Sequence, residues 1–265
     1  MKVFKTHFIE QESDITIISE SKTAIKKAKE SFYIHRRNLE NYILSNKSFL
    51  TSFSPVRVNT KIKIINLMAD AAYICDVGPM AAVAGALADL MLNVMKNQTN
   101  NSDFEFTPAK IALVENGGEI AIDSIEPMKI GLYAGSNELG AKIGFLIEKA
   151  DCPIGIGTSS ATVGHAISLG QADAVTVFAN TATLADAAAT RVANLVKGND
   201  IEASIKKGLD IVDDLDGVQG AFISRKDKVG HTGKLPKFIK IEGDRHKLLK
   251  GKLTSFLTGD TEVFR

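Results

Sequence analysis

The sequence predicts an α/β protein of the α+β kind, in which mixed, largely antiparallel sheets are covered by helices. Two observations support this fold class: short apolar strands follow one another across residues 109–148 with tight turns between them, and amphipathic segments of helical period lie on both sides of that region. Links this short join antiparallel strands, because parallel strands need a long crossover connection. Neither a repeat period nor a low-complexity block divides the 265 residues. We therefore expect one domain, with a hairpin and helix at 1–50, a core at 51–243 and a tail at 244–265.

The N-terminal elements follow from the change of hydrophobic period along the chain. Residues 2–9 and 14–19 alternate apolar with polar side chains around the turn-prone Glu12-Ser13-Asp14, which predicts an antiparallel hairpin. From Lys22 to Ser45 the apolar residues recur at helical spacing, and Ser21 is placed to cap the first turn of this helix.

Two further helices are predicted before the strands. Asn59 is placed to cap a helix that runs to about Ala72. The weakly charged stretch from Val77 to Met95 is rich in alanine and is interrupted by Asp89, so a buried helix explains it better than a membrane span. Gly85 lies inside that helix, which indicates that another helix, a sheet or a ligand approaches its backbone closely.

The second half of the chain alternates between strands and helices. The predicted strands are KIALV, EIAID, MKIGLY, KIGFLIE, PIGIG and AVTVFAN. The segment TLADAAATRVANLVKG predicts a helix, with Thr183 as its N-cap and Gly198 just past its end, and a further helix is expected at about Ile201 to Val212. The segments GAFIS and KFIKI are expected to pair as a closing hairpin, and the polar end of the chain to be loosely held.

Composition excludes several classes of function. The net charge is only +1 and the basic residues are spread over several segments, which disfavours a nucleic-acid partner. Cys75 and Cys152 form no Cys-x-x-Cys pair and are interpreted as small buried residues. The first 17 residues lack an apolar run of signal-peptide length, so we expect a cytoplasmic protein without a membrane partner. Alanine-rich helices and sheet edges allow a homodimer.

Three polar clusters could carry chemistry. Asn116-Gly117-Gly118 could either bring backbone close to a ligand or form a tight hairpin turn. The segment 155–165 is dense in small hydrogen-bond donors and ends on His165, a candidate general base, although a structural role for that histidine is the alternative. Asp186 and Thr190 are four residues apart on a helix, so that both can ligate a hard cation such as Mg²⁺; an acid favoured by the helix dipole is the other interpretation.

These clusters, in this order, resemble the ApbE-like superfamily of FAD-dependent protein FMN transferases. The residues that carry the resemblance are 76–89 (DVGPMAAVAGALAD), 115–119 (ENGGE), 158–165 with Thr158, Ser159, Ser160 and His165, and 185–190 (ADAAAT). The resemblance implies a T-fold-like single domain that binds a flavin nucleotide, FAD or FMN, together with Mg²⁺.

The resemblance also implies a role for each matched residue. The flavin pocket would be lined by two loops and by the glycine of the third helix: Asn116, Gly117, Gly118, Thr158, Ser159, Ser160 and Gly85. His165 would be the catalytic residue, and Asp186 and Thr190 would bind magnesium with a backbone carbonyl from the 78–85 region. The activity would be FMN transfer to a Ser or Thr of an acceptor protein, or hydrolysis of FAD to FMN and AMP.

The sequence departs from the transferase pattern at two places. Typical members carry a lysine before the glycine matched by Gly85, where this chain has Ala84, and an Asp-Pro pair after the histidine, where it has Ala166 and Ile167. Two alternatives to an enzyme stay open: a flavin or nucleotide carrier without turnover, which Ala84 favours, and a structural or assembly protein without a ligand. Self-modification of the segment 159–162, which faintly resembles a flavin-acceptor motif, stays open as well.

Overall fold

The computed structural model describes residues 2–97, 107–132, 143–160, 170–241 and the backbone of 263–264. The strands of this part of the chain are β1 (Phe4–Glu10), β2 (Ser13–Ser19), β3 (Ile111–Asn116), β4 (Glu119–Ser124), β5 (Met128–Leu132), β6 (Ile143–Ile147), β7 (Ile154–Ser159), β8 (Ala174–Ala179), β9 (Val218–Arg225), β10 (Lys228–Gly233), β11 (Lys237–Lys240) and β12 (Val263–Phe264). The helices are α1 (Lys22–Ser45), α2 (Lys47–Thr51), α3 (Lys63–Cys75), α4 (Val83–Lys96), α5 (Ala182–Leu195) and α6 (Ile201–Asp210), and 3-10 turns lie at Pro79–Ala82, Lys149–Asp151 and Val212–Asp214.

The strands form two sheets, and every pair of hydrogen-bonded neighbours is antiparallel. The larger sheet has the order β1-β2-β3-β4-β7-β8-β9-β10, and the smaller has the order β11-β6-β5-β12. The predicted fold class, mixed and largely antiparallel sheets covered by helices, is confirmed.

The larger sheet has an apolar core on each of its faces. Helices α1, α3, α4 and α5 pack on one face, where the small side chains of α4 and α5 let the helices lie close to the strands. On the other face, apolar residues of the two sheets meet, and Phe145 of the small sheet packs edge-on against Phe178 with 4.8 Å between ring centroids. Side chains that point to the helical face of the large sheet therefore reach α4 and α5, where the candidate site lies.

Local sequence chemistry explains several of these elements as predicted. Ser21 caps α1, its hydroxyl accepting a hydrogen bond from the Ala24 amide at 3.1 Å. Gly117 and Gly118 have φ of 66° and 113° and join β3 to β4 in a two-residue turn, a conformation that glycine adopts without strain. The 18 residues from Pro79 to Lys96 are long and apolar enough to cross a membrane by composition, but half of the segment is buried inside the protein and α4 packs in the core as predicted.

Predicted element boundaries were wrong at several positions. Asn59 does not cap α3, which begins four residues later, at Lys63. In the segment before the helix, the Thr60 hydroxyl accepts a hydrogen bond from the Ile62 amide. The N-cap of α5 is Thr181 and not Thr183, whose hydroxyl instead donates to Asp89 on α4. The short helix α2 was not predicted.

The predicted closing hairpin was also wrong. GAFIS lies in β9, whose hairpin partner is β10, whereas KFIKI contributes β11 to the small sheet beside β6. Val263 and Phe264 of the tail form β12 against β5, and the other residues of the tail after 241 lie outside the described part of the chain. The error in the hairpin concerns pairing between separate segments, which the local alternation of side chains does not specify.

Candidate functional site

The tip of the β3–β4 hairpin directs two polar side chains into the helical layer. Asn116 and Glu119 are opposite each other in the register, and both are buried, with exposed fractions of 2% and 8%. The Asn116 side-chain amide donates to the backbone carbonyl of Ala84 at 3.2 Å, which attaches the tip of the hairpin to the first turn of α4. The turn thus has a tertiary role beyond reversing the chain.

The end of β7 forms a second wall of the site. The Thr158 amide donates to the Glu119 carboxylate, whereas the Thr158 hydroxyl lies 3.3 Å from that of Thr176 on the neighbouring strand. The Ser160 hydroxyl donates to the carbonyl of Asp173 at 2.6 Å. Thr158 and Ser159 belong to the strand and not to a loop as expected, because the ladder between β7 and β8 continues through Ser159.

Helix α5 supplies the third wall and lies unusually close to its neighbours. A Cβ on Gly157 would be 2.4 Å from the carbonyl of Ala185 and 2.6 Å from the amide of Asp186. A Cβ on Gly85 would be 2.2 Å from the carbonyl of Ala182. The expectation that a neighbouring element approaches Gly85 is confirmed, since helix α5 packs directly on its Cα. Glycine at these positions brings the backbone of α5 into contact with β7 and α4.

Two aspartates connect α4 and α5 in opposite directions. Asp89 of α4 accepts hydrogen bonds from the amides of Ala182 and Thr183, at 3.0 and 2.8 Å, in the first turn of α5. Asp186 of α5 in turn accepts the Gly85 amide of the first turn of α4 at 3.0 Å, and the Ala84 amide contributes a further bond. Each helix therefore satisfies amides that the other leaves without an intrahelical partner.

The carboxylates of Asp186 and Glu119 face each other in a poorly hydrated environment. Burial raises the pKa of Asp186 to about 7; the amide bonds from Gly85 and Ala84 oppose this rise, and the charge of Asp89 adds to it. Burial also raises the pKa of Glu119 well above its ordinary value, and the charge of Asp186 raises it further. Two neighbouring carboxylates in so little water repel each other when both are ionised, and a bound cation would reduce that repulsion.

The predicted site residues are only partly brought together. Gly85, Asn116, Gly117, Gly118 and the Thr158 amide surround the two acids, and Thr190 follows Asp186 by one helical turn, half-buried. Ser159 is half-buried at the end of β7, and His165 lies outside the described residues.

Glu119 and Asp89 were not predicted as site residues. A signal existed for both, since Glu119 directly follows the Gly-Gly turn, opposite Asn116, and Asp89 follows Gly85 by one helical turn.

The acids do not by themselves form a metal centre. Within the described ranges, no three His, Cys, Asp or Glu side chains are grouped so that they could hold an ion. The charge of Asp186 acts on Cys75, but burial raises the pKa of the Cys75 thiol to about 12, so the thiol is not a thiolate ligand at neutral pH. A cation here would need hydroxyl, carbonyl, water or ligand oxygens in addition to carboxylate.

Comparison with known proteins gives one consistent result. A family model described as "AbpE bacteria" matches residues 2–218. A UPF0280 protein of Methanocaldococcus jannaschii is 41% identical over 242 residues, covering 90% of this chain and 94% of the relative, and one of Methanopyrus kandleri is 36% identical over 249 residues, covering 92% and 97%.

Solved structures share the fold at low sequence identity. The apo form of the Pseudomonas stutzeri flavinyl transferase ApbE superposes with a TM-score of 0.51 at 15% identity, covering 88% of this chain and 94% of that one. The ApbE protein of Thermotoga maritima superposes with a TM-score of 0.51 at 13% identity, covering 85% and 97%.

Proposed function

This chain belongs to the ApbE-like family described as "AbpE bacteria", and we propose that the site around Asp186 binds a flavin nucleotide together with a divalent cation. The observation that carries the proposal is the convergence of the three polar clusters: the hairpin tip at 116–119, the end of β7 and the first turns of α5 meet around the carboxylates of buried Glu119 and half-buried Asp186. The fold neighbour from Pseudomonas stutzeri is described as a flavinyl transferase.

The donor atoms of the site fit Mg²⁺. The carboxylate of Asp186 and the hydroxyl of Thr190 project from successive turns of α5, and both are hard oxygen ligands. Mg²⁺ is commonly held by one or two carboxylates while water and substrate phosphates complete its octahedron, so the lack of a third acidic ligand among the described residues is compatible with it. Burial raises the pKa of Asp186 and Glu119, neighbouring negative charges raise both further, and a bound cation would offset this repulsion.

The remaining residues would position the nucleotide. Asn116 and the glycines of the hairpin tip present an amide side chain and backbone beside Asp186, and the Ser159 hydroxyl lies at the end of β7. Bound Mg²⁺ would neutralise the charge that develops on the phosphate oxygens. His165, the predicted general base, would take the proton of the attacking hydroxyl.

The proposed reaction breaks the pyrophosphate link of FAD. The oxygen of an acceptor Ser or Thr forms a bond to the phosphorus of the FMN half, the bond from that phosphorus to the bridging oxygen breaks, and AMP leaves. If water attacks in place of the acceptor, the products are FMN and AMP.

A carrier without turnover is the second candidate. The observation that favours it is Ala84, whose amide and carbonyl bond to Asp186 and Asn116 but whose side chain adds no charge to the first turn of α4. A carrier would bind the nucleotide and release neither FMN nor AMP.

The test is equilibrium binding of FAD with Mg²⁺ and with EDTA, followed by chromatography for FMN and AMP and by intact-mass measurement. We expect Mg²⁺-dependent binding by the wild type that is lost in both Asp186→Asn and Thr190→Val, because each variant removes one oxygen ligand. Release of AMP, or a mass increase on an acceptor or on the chain itself, identifies the enzyme; binding without either identifies the carrier. If the wild type binds no flavin nucleotide under these conditions, the proposal is wrong.

A further inference from the structure

One peptide group at the start of α4 lies between the hairpin tip and α5. The Asn116 side-chain amide donates to the carbonyl oxygen of Ala84 at 3.2 Å, and the Gly85 amide donates to Oδ2 of Asp186 at 3.0 Å. The Ala84 carbonyl and the Gly85 N–H belong to the same peptide bond, whose atoms lie in one plane with the two groups pointing in opposite directions. The two hydrogen bonds therefore form one continuous chain from Asn116 to the Asp186 carboxylate.

The backbone around Asn116 is held on both sides. Asn116 is paired with Ile15 of β2 and with Glu119 of β4, and its side chain is buried. The next amide, that of Gly117, donates to the carbonyl of Asp14 in β2 at 2.9 Å. Three neighbouring strands thus set the position of the donor that reaches Ala84.

The first turn of α4 has no polar side chain of its own for this task. Ala82 is the N-cap residue and makes no side-chain cap hydrogen bond, and residues 82–84 read Ala-Val-Ala. The side chains that bond to the Ala84–Gly85 peptide group come from segments 32 and 101 residues away. A donor on the carbonyl polarises the peptide group and makes its N–H a stronger donor, because hydrogen bonds in a chain strengthen one another.

We propose that Asn116 is a positioning residue for Asp186, the proposed cation ligand, and that it acts through the Ala84–Gly85 peptide group. The proposal rests on the proposed function and deepens it, because it assigns one N–H of the Asn116 amide to the orientation of the cation ligand. A carboxylate that is already oriented by a fixed amide loses less conformational freedom when a cation binds. Without the Asn116 donor, the peptide group would keep only its bond to Asp186.

The experiment compares Asn116→Ala with Ser31→Ala in the full-length protein. Ser31 provides the matched control: its buried hydroxyl donates to the Leu90 carbonyl at 3.1 Å, so each variant removes one buried side-chain donor to a backbone carbonyl of α4. Cation affinity is measured with Mn²⁺ by electron paramagnetic resonance without flavin, and FAD affinity by equilibrium binding with Mg²⁺. We expect Asn116→Ala to weaken Mn²⁺ binding by about three- to tenfold, as for one lost hydrogen bond, and Ser31→Ala to leave it unchanged.

The Gly85 amide gives a second readout that needs no ligand. In amide NMR spectra its proton resonance should move to lower chemical shift in Asn116→Ala, because the N–H shares its peptide group with the oxygen that loses a donor. The same resonance should move in the same direction in Asp186→Asn, where the N–H loses its charged acceptor. It should stay in place in Ser31→Ala.

Every other outcome overturns the inference. Unchanged Mn²⁺ affinity in Asn116→Ala does so while the proposed function stands, and weaker FAD binding in that case would mean that Asn116 contacts the nucleotide. An equal loss of Mn²⁺ affinity in Ser31→Ala would show a general loosening of α4, and an unmoved Gly85 resonance would rule out the peptide group as the link. If the wild type binds neither Mn²⁺ nor FAD, the proposed function fails and the role of Asn116 fails with it.

Thermal unfolding verifies that the variants are folded. If Asn116→Ala does not unfold cooperatively, Asn116→Thr takes its place, because threonine suits a strand and its short side chain carries no amide donor. The same changes in Mn²⁺ affinity and in the Gly85 resonance are expected for it.

Discussion

The variant Asp186→Asn separates the destabilisation caused by the charge of Asp186 from the hydrogen bonds that this side chain accepts from the first turn of α4. The folded-state pKa of Asp186 lies above the unfolded value, so the folded chain holds this proton more tightly than the unfolded chain does. The stabilising contribution of that proton is complete below the unfolded value of 3.8, falls as pH rises, and is lost above about 7. Asparagine carries no charge, and the variant should lose this part of the pH dependence.

The size of the effect follows from the pKa difference. One pKa unit corresponds to about 1.4 kcal/mol, which gives an upper limit of about 4 kcal/mol for a rise from 3.8 to about 7. Because Asp186 is half-buried and shares its environment with Glu119, screening reduces this value, and we expect about 2 kcal/mol. Any hydrogen bond to Gly85 or Ala84 that asparagine weakens adds an offset that does not vary with pH.

The assay is urea unfolding in EDTA at several pH values between 4 and 8. The difference in unfolding free energy between variant and wild type should move by about 2 kcal/mol in favour of the variant across this range. Thr190→Val is the matched control: it removes the other proposed ligand without removing a charge, and should keep the wild-type pH dependence. Saturating Mg²⁺ should stabilise the wild type and neither variant. Parallel curves for Asp186→Asn and wild type would show that Asp186 carries no such strain.

Three further predictions concern the stability of the helices and strand that pack around the site. Asp89→Asn should lower the free energy of unfolding by about 1 to 3 kcal/mol in urea titrations. The amides of Ala182 and Thr183 and the Thr183 hydroxyl all donate to the Asp89 carboxylate, and the NH2 group of asparagine would place a donor against one of them. Gly157→Ala should cost about 3 kcal/mol or more, or prevent soluble expression, since its Cβ would overlap the α5 backbone; a normal unfolding midpoint would contradict the contact. Burial, and to a lesser extent the charge of Lys63, lowers the pKa of His35 in the folded protein. Stability should therefore be lost as pH falls below the ordinary value of 6.5. In His35→Gln, the free energy of unfolding should depend less on pH between 7 and 5 than it does in the wild type.

The turns, helix caps and strands that depend on residues close together in the sequence could be predicted. The turn at Gly117-Gly118, the cap at Ser21 and the successive apolar strands of 111–132 depend on residues close together in the sequence, and all are confirmed. The partner of Gly85 was predicted only as a helix, a sheet or a ligand, because a glycine indicates close approach without identifying the neighbour.

The pairings that build the site could not be predicted in the same way. Glu119 meets Asp186, and Asp89 meets Thr183, across separations of 67 and 94 residues. These contacts depend on the β3–β4 and β7–β8 registers and on the depth at which α5 packs, none of which is encoded near either residue. The same limitation misassigned the N-cap of α5: Thr181 and Thr183 are both hydroxyl residues at its start, and only the distant Asp89 decides which of them caps the helix.

The crossed aspartates give a physical reason for the position of the proposed metal ligand Asp186. A carboxylate has about four lone-pair positions, so Asp186 can accept amides from α4 and still offer oxygen to a cation. The α4 amides fix the orientation of the carboxylate before any ion binds, and Asp89 fixes the start of the helix that carries it. Burial alone would favour protonation of Asp186, whereas the amides favour its charged form, and the resulting pKa near 7 leaves the group available to a divalent cation at neutral pH. The same carboxylate thus joins two helices and would still have oxygen available for a cation, in a packing of α5 against α4 and β7 so close that positions 85 and 157 require glycine.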